Sequence, residues 1–224
     1  MLKDQLKKLF GETAIYGISS ILTKLISIFL IPLYTSVLDP SDYGTLNLLT
    51  SFLSLSLIIS IFALDNSAAR WFYDTDEVSD KKKTISSWVY FQSFSTLLIG
   101  LLLIVGAPLI KDDILSLPSN DIYYIAVASF LLGVLPSITP NWFRMQRRAI
   151  STISYTISFS LITIGFTIYF VLFMNLGVKG IFMATLISNG IMSIVSLFIM
   201  KGWYNFKDVN LNRIKELLLS LIHI

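Results

Sequence analysis

Long apolar runs separated by short charged segments organise this chain. A helix of about 20 apolar residues crosses a hydrocarbon core about 30 Å thick. Six runs of that length occur, at residues 14–37, 43–66, 86–110, 122–143, 150–174 and 178–200. A seventh starts at Leu211 and reaches Ile224. It would extend only about 21 Å as helix, and we read it as the start of an incomplete span. Backbone polar groups in lipid must be satisfied within a segment or in a closed barrel. Barrel strands alternate over segments of about ten residues; these runs are longer and do not alternate. The expected fold is all-α: a polytopic transmembrane helix bundle with six complete spans plus a truncated seventh. Residues 1–210 would form a six-helix lobe and 211–224 the beginning of the next span.

Composition sharpens this reading. Charged residues are 14% of the chain and apolar residues 54%, against about 25% charged in a soluble domain. Mean hydropathy is +0.74. Lys and Arg fall on alternate connections: fourteen lie before the first run or after the even-numbered ones, and only Lys111 and Lys179 lie on the other side. Basic loops stay in the cytoplasm, so the N-terminus is expected there, in a multi-pass protein of the cell (inner) membrane. Trp71, Trp88, Trp142 and Trp203 fall at the cytoplasmic ends of runs, where an amphipathic ring suits the interface. Tyr34, Tyr43, Tyr123 and Tyr124 mark the opposite interface. The segment 1–10 has Leu2, Leu6, Leu9 and Phe10 near one face and lysines toward the other, a pattern for a short helix on the inner leaflet. No small-residue cleavage site follows the first run, so it reads as a retained span rather than a signal peptide. The stretch 67–85, with DTDEVSDKKK, reads as a solvated connector, and Asp42 and Asp121 as N-caps of the runs that follow them.

Little reaction chemistry is available. There is no cysteine, and the one histidine is His223. No phosphate-binding loop, metal-ligand cluster or nucleophile motif occurs. We therefore expect no enzyme, no cofactor, no metal and no nucleic-acid partner. The informative residue is Lys24, at mid-depth in the first run, where an ammonium costs about 2.5–3.5 kcal/mol on insertion scales. Thr13, Gly17, Ser20, Lys24 and Ser27 recur at helical spacing and share a face. That stripe either lines a hydrated cavity or lets helices pack closely with Lys24 on a carboxylate. Gln92, Thr96 and Gly100 form a second small or polar ridge, and Thr185, Ser188, Asn189 and Met192 a third. Pro136 and Pro140, with Ser129, Gly133 and Ser137, predict a kinked fourth span with freed carbonyls. Asp65 and Arg70 could pair across the end of the second run.

Three stretches together carry a family resemblance: IPLYTSVLDPSDYGTLNL at 31–48, LDNSAARWFYD at 64–74 and PNWFRMQRRAISTISY at 140–155. In their order and spacing they resemble polysaccharide-biosynthesis membrane proteins, the oligosaccharide-lipid flippases of the multidrug/oligosaccharidyl-lipid/polysaccharide exporter superfamily. The resemblance implies two six-helix lobes around a central cavity, of which this chain matches the N-terminal lobe. It implies a polyprenyl-diphosphate-linked oligosaccharide as cargo, moved between leaflets. Lys24, Arg70 and Arg144 would then meet the diphosphate, and Ser20, Ser27, Gln92 and Asn189 the sugar hydroxyls. Asp65 would couple an ion. Partners would be the bilayer, the lipid-linked oligosaccharide, a C-terminal lobe and glycan-polymerising enzymes. Two other readings stay open: a drug or cation exporter of the same fold, which would want cavity carboxylates, and a non-transporting scaffold for glycan assembly.

Overall fold

The computed structural model describes residues 31–32, 34–115, 117 and 119–222. Most of the expected first span, with Ser20, Lys24 and Ser27, lies outside them, as does the amphipathic segment 1–10. Among the described residues the fold is helical, with no strand, and five segments are long and apolar enough to cross a membrane: Pro40–Tyr73, Val78–Val105, Asn120–Met145, Ala149–Phe173 and Gly177–Ile199. These are the expected second to sixth spans.

The second span is two helices, α1 (Pro40–Ile61) and α2 (Leu64–Tyr73). Between them Phe62 and Ala63 both take the left-handed conformation, each with φ 49°. Neither glycine nor proline stands there, so the sequence carried no signal for the break. At 22 residues, α1 is about 33 Å long and covers the hydrocarbon core alone. α2 turns away and buries Leu64, Ser67, Ala68 and Phe72.

Helix α3 (Val78–Val105) starts eight residues before the expected run. The stretch read as a solvated connector is therefore mostly helix, with only 74–77 between α2 and α3. A charged helical turn costs nothing once it projects beyond the hydrocarbon, so charge density alone did not mark a loop. The helix N-caps also lie earlier than expected, by three residues in α1 and two in α4. Asp39 and Ser119 hold the cap positions, while Asp42 and Asp121 sit in the first turns of α1 and α4. A carboxylate there still opposes the positive end of the helix dipole.

The fourth span divides into α4 (Asn120–Leu132) and α5 (Val134–Met145) at Gly133. Two spans follow, α6 (Ala149–Ile168) and α7 (Gly177–Ile199). α4 packs most extensively on α7, and α6 also lies against α7. A final helix, α8 (Leu211–Ile222), packs on α2 and α3. Its 12 described residues extend about 18 Å as helix. Its apolar face is buried at Leu217, and Ser220 Oγ meets Ser67 Oγ at 2.7 Å. Its polar start is fastened by Arg213, which reaches Asp80 at 2.7 Å and Glu216 at 3.2 Å and lies over the Trp71 ring.

Two apolar clusters fill the bundle. One, at the end holding the 38–39 and 115–119 connections, includes Leu49, Tyr123, Val127, Val171 and Val178. The other, at the α2 and α8 end, includes Leu64, Trp88, Ile138, Trp142, Met192 and Leu217. The tryptophan expectation is corrected here. Trp88 and Trp142 are 0% and 1% exposed and belong to the core, not to a lipid-facing belt. Hydropathy reports how deep a ring sits, not which way its helix turns it. The tyrosines divide likewise: Tyr124 is exposed, whereas Tyr123 is buried and its hydroxyl donates to the Leu103 carbonyl at 2.8 Å.

Candidate functional site

Between α1, the α4–α5 kink and α7 lies a cavity of about 570 Å³. Its first wall is α1. Tyr43, Asn47, Thr50 and Ser54 recur at intervals of 4, 3 and 4, which puts them on one helical face, and all line the cavity. Asn47, Thr50 and Ser54 are exposed to it. The second wall is the kink, through Ser129, Gly133, Pro136 and Ser137, and the third is α7, through Thr185 and Asn189. Tyr34, Phe130, Phe159 and Phe182, with Leu46, Leu53, Leu57 and Ile181, close the remainder.

The kink owes its form to proline chemistry. Pro136 has no N–H, so the Leu132 carbonyl has no partner within the helix. Ser193 of α7 supplies one, its hydroxyl donating to that oxygen at 2.5 Å. One turn earlier, Asn189 Nδ2 donates to the Ser129 carbonyl at 2.7 Å. The freed-carbonyl expectation holds at Leu132, where Ser193 of α7 is the donor; the Ser129 carbonyl keeps the Gly133 N–H at 3.0 Å, and Asn189 adds a second bond to it. Gly133 gives Asn189 the room: a Cβ there would lie 3.2 Å from Asn189 Nδ2. Beyond the kink, Tyr155 and Ser196 hydroxyls meet at 2.7 Å and Thr139 donates to Ser196 at 2.8 Å, tying α5, α6 and α7 together.

The described cavity wall is uncharged and mostly apolar, and its polar positions offer mainly acceptors. Ser54, Ser129, Ser137 and Thr185 each donate their hydroxyl proton to a carbonyl of their own helix. What these oxygens keep for a ligand is lone pairs. Asn189 spends its amide N–H on Ser129 and keeps its Oδ1. None of the described lining residues is charged. Such a surface suits a guest that brings hydroxyl donors and apolar C–H faces.

Of the residues singled out from the sequence, Asn189 and Thr185 line this cavity, and so do Ser129, Gly133, Pro136 and Ser137 of the kinked span. Gln92 is 2% exposed on α3 and does not reach the cavity. Arg70 and Arg144 are exposed and stand apart from the lining, Arg144 bonding Asn141 Oδ1 at 3.2 Å. Asp65 is half-buried in the first turn of α2, and it forms no ion pair with Arg70. Asn47, Thr50 and Ser54 were missed, and Tyr34 and Tyr43 were read as interface markers rather than lining. The signal was available, because the spacing of Tyr43, Asn47, Thr50 and Ser54 repeats that of the Thr13–Ser27 stripe, but scattered hydroxyls within an apolar run read as packing.

The chain matches the polysaccharide biosynthesis protein family over residues 9–224. It is 25% identical over 195 residues to the Lsg locus protein 1 of Haemophilus influenzae, a match covering 86% of this chain and 45% of that relative. The chain thus spans about half the length of the curated relative it matches. No solved structure matches it. A multi-pass helical bundle, an open cavity between its helices and a family match over nearly the whole sequence agree with one another: the chain is a membrane protein of the polysaccharide biosynthesis protein family.

Proposed function

We propose that this chain is one lobe of a transporter that moves a polyprenyl-diphosphate-linked oligosaccharide across the cell membrane, with its N-terminus in the cytoplasm. The observation that carries the reading is an uncharged, largely apolar cavity between the helices whose polar positions offer hydrogen-bond acceptors. Sugar hydroxyls would donate to Ser54, Ser129, Ser137 and Asn189 Oδ1, and the aromatic walls would pack on ring C–H faces. The polyprenyl tail would stay in lipid. Lys24, outside the described residues, would neutralise the diphosphate, with Arg70 and Arg144 collecting it at the membrane surface and Asp65 serving ion coupling. A second lobe and glycan-polymerising enzymes would be its partners. No bond-making step is assigned to the chain. The absence of carboxylates from the described lining supports this reading over a cation exporter.

The test is flipping of a fluorescent polyprenyl-diphosphate disaccharide in proteoliposomes containing the protein with the rest of its transporter. Flipping above the rate of empty vesicles, reduced at least tenfold by Asn47→Leu with Thr50→Val, is expected. A rate equal to that of empty vesicles would reject transport and leave the scaffold reading.

A further inference from the structure

The connection between α7 and α8 is a strap tied to α3. The Asn205 N–H donates to Ser86 Oγ and the Asn210 N–H to Ser87 Oγ, each at 3.0 Å. Asn205 Oδ1 accepts the Lys207 N–H at 3.1 Å and Asn210 Oδ1 the Asn212 N–H at 2.9 Å, which fixes the turn at each tie. Ser86 and Ser87 are fully buried at these ties.

The place where the strap crosses α3 decides what lies outside it. Tyr90, Phe94, Leu98, Leu101 and Val105 recur at intervals of 4, 4, 3 and 4 and share one face of α3. The last four are exposed, so in a bilayer this row meets lipid. The other side of α3, with Trp88, Gln92 and Thr96, is buried, and Gln92 Oε1 and Thr96 Oγ1 have no hydrogen-bond partner among the described residues. Ser86 and Ser87 come one turn before Tyr90, so the strap crosses α3 at the foot of the lipid-facing row. There the Tyr90 ring meets Phe206 edge-on at 5.6 Å and Tyr204 at 6.3 Å.

Phe206 nevertheless stays 74% exposed, and Leu211 at the end of the strap 80%. Lys201 and Lys207 flank Phe206 and are exposed, as is Lys83, seven residues before Tyr90 on the same face of α3. Among the described residues none of the three lysines forms an ion pair. Nearby carboxylates do not oppose them strongly: Asp80 is paired with Arg213, and Asp208, the only acid in the strap, is half-buried. An apolar ring continuing a lipid-facing row, with ammonium groups around it, suits the level where acyl chains give way to phosphates.

We propose that residues 200–210 form an interfacial strap that inserts Phe206 among acyl chains and binds anionic phospholipid headgroups through Lys83, Lys201 and Lys207. A zwitterionic headgroup brings its own cation to the lysines, so the site selects lipids of net negative charge. The aromatic belt at this end is then Tyr90, Tyr204 and Phe206 rather than Trp88 and Trp142. The site lies apart from the cavity and does not rest on the transport reading.

The chain has no cysteine, so a spin label on Phe206→Cys reports depth in proteoliposomes of phosphatidylcholine and phosphatidylglycerol. The label is expected to be open to oxygen and shielded from an aqueous nickel chelate, with Asp76→Cys as the water-exposed reference. Nickel access at 206 equal to that at 76 would overturn the insertion. Headgroup binding is read as phosphatidylglycerol retained by the detergent-extracted protein, counted against phosphatidylcholine by native mass spectrometry. One lysine near an anionic surface is worth about a fivefold gain in binding, so Lys201→Gln with Lys207→Gln is expected to lower retention by about tenfold or more. Arg147→Gln with Arg148→Gln removes the same charge from the α5–α6 connection and is expected to lower it far less. Unchanged retention in the strap variant, equal falls in both variants, or equal retention of the two lipids by the parent would each overturn the headgroup site.

Discussion

Asn189 Nδ2 lies 2.7 Å from the Ser129 carbonyl, joining residues sixty positions apart. That bond, with Ser193 on Leu132 one turn away, makes α7 the outside support of a helix that proline has weakened from within. In lipid the alternative is a bare carbonyl in hydrocarbon, and polar contacts between membrane helices contribute about 0.6 kcal/mol on average and up to about 1.7.

The support is specific to the missing amide. Ser193→Ala should lower stability by about 0.6–1.7 kcal/mol. In a Pro136→Ala background the restored N–H can take the Leu132 carbonyl, and the same substitution should then cost little. A double-mutant cycle by thermal unfolding in detergent measures the coupling. Additive effects would show that the hydroxyl and the proline do not share an acceptor.

The break at Phe62 and Ala63 gives a prediction of unusual sign. Left-handed backbone costs a non-glycine residue about 1–2 kcal/mol, and glycine gives back about 0.5–1 of that in chain entropy. Ala63→Gly should therefore be neutral or stabilising by up to about 1 kcal/mol. Ala69→Gly, inside α2, should destabilise by about 1 kcal/mol. Thermal unfolding of the two variants side by side checks the contrast, and equal losses would mean that Ala63 is helical in the membrane.

Arg213 fastens α8 through two carboxylates at once, with a side chain 13% exposed. A lysine cannot span both acids or lie flat on Trp71, so Arg213→Lys should lose most of what Arg213→Met loses, about 1–3 kcal/mol. Limited proteolysis in the 200–210 connection should accelerate equally in both variants. Protection by lysine equal to that of arginine would show that charge alone holds the helix.

The position of the indoles can be read directly. With the other tryptophans replaced by phenylalanine, Trp88 or Trp142 should resist quenching by brominated lipid, because both are buried in the protein core. Strong quenching of either would return it to the lipid boundary.

Hydrophobic patterning was enough for the class of molecule, because a run of about twenty apolar residues has few destinations other than a membrane. It also located the proline kink and the Asn189 ridge, since both depend on residue type and spacing along one helix. Orientation about the helix axis was out of its reach. Neighbouring helices decide that Trp88 and Trp142 face inward. The cavity wall of Asn47, Thr50 and Ser54 and the unpaired Gln92 and Thr96 are chemically alike along the chain, yet one set meets open space and the other packed side chains. Only the placement of α1 and α3 against the kink separates them. The break at 62–63 belongs to the same class: no local residue demands it, and it exists because α2 gains more by burying Leu64, Ala68 and Phe72 against α3 and α8 than the two strained residues lose.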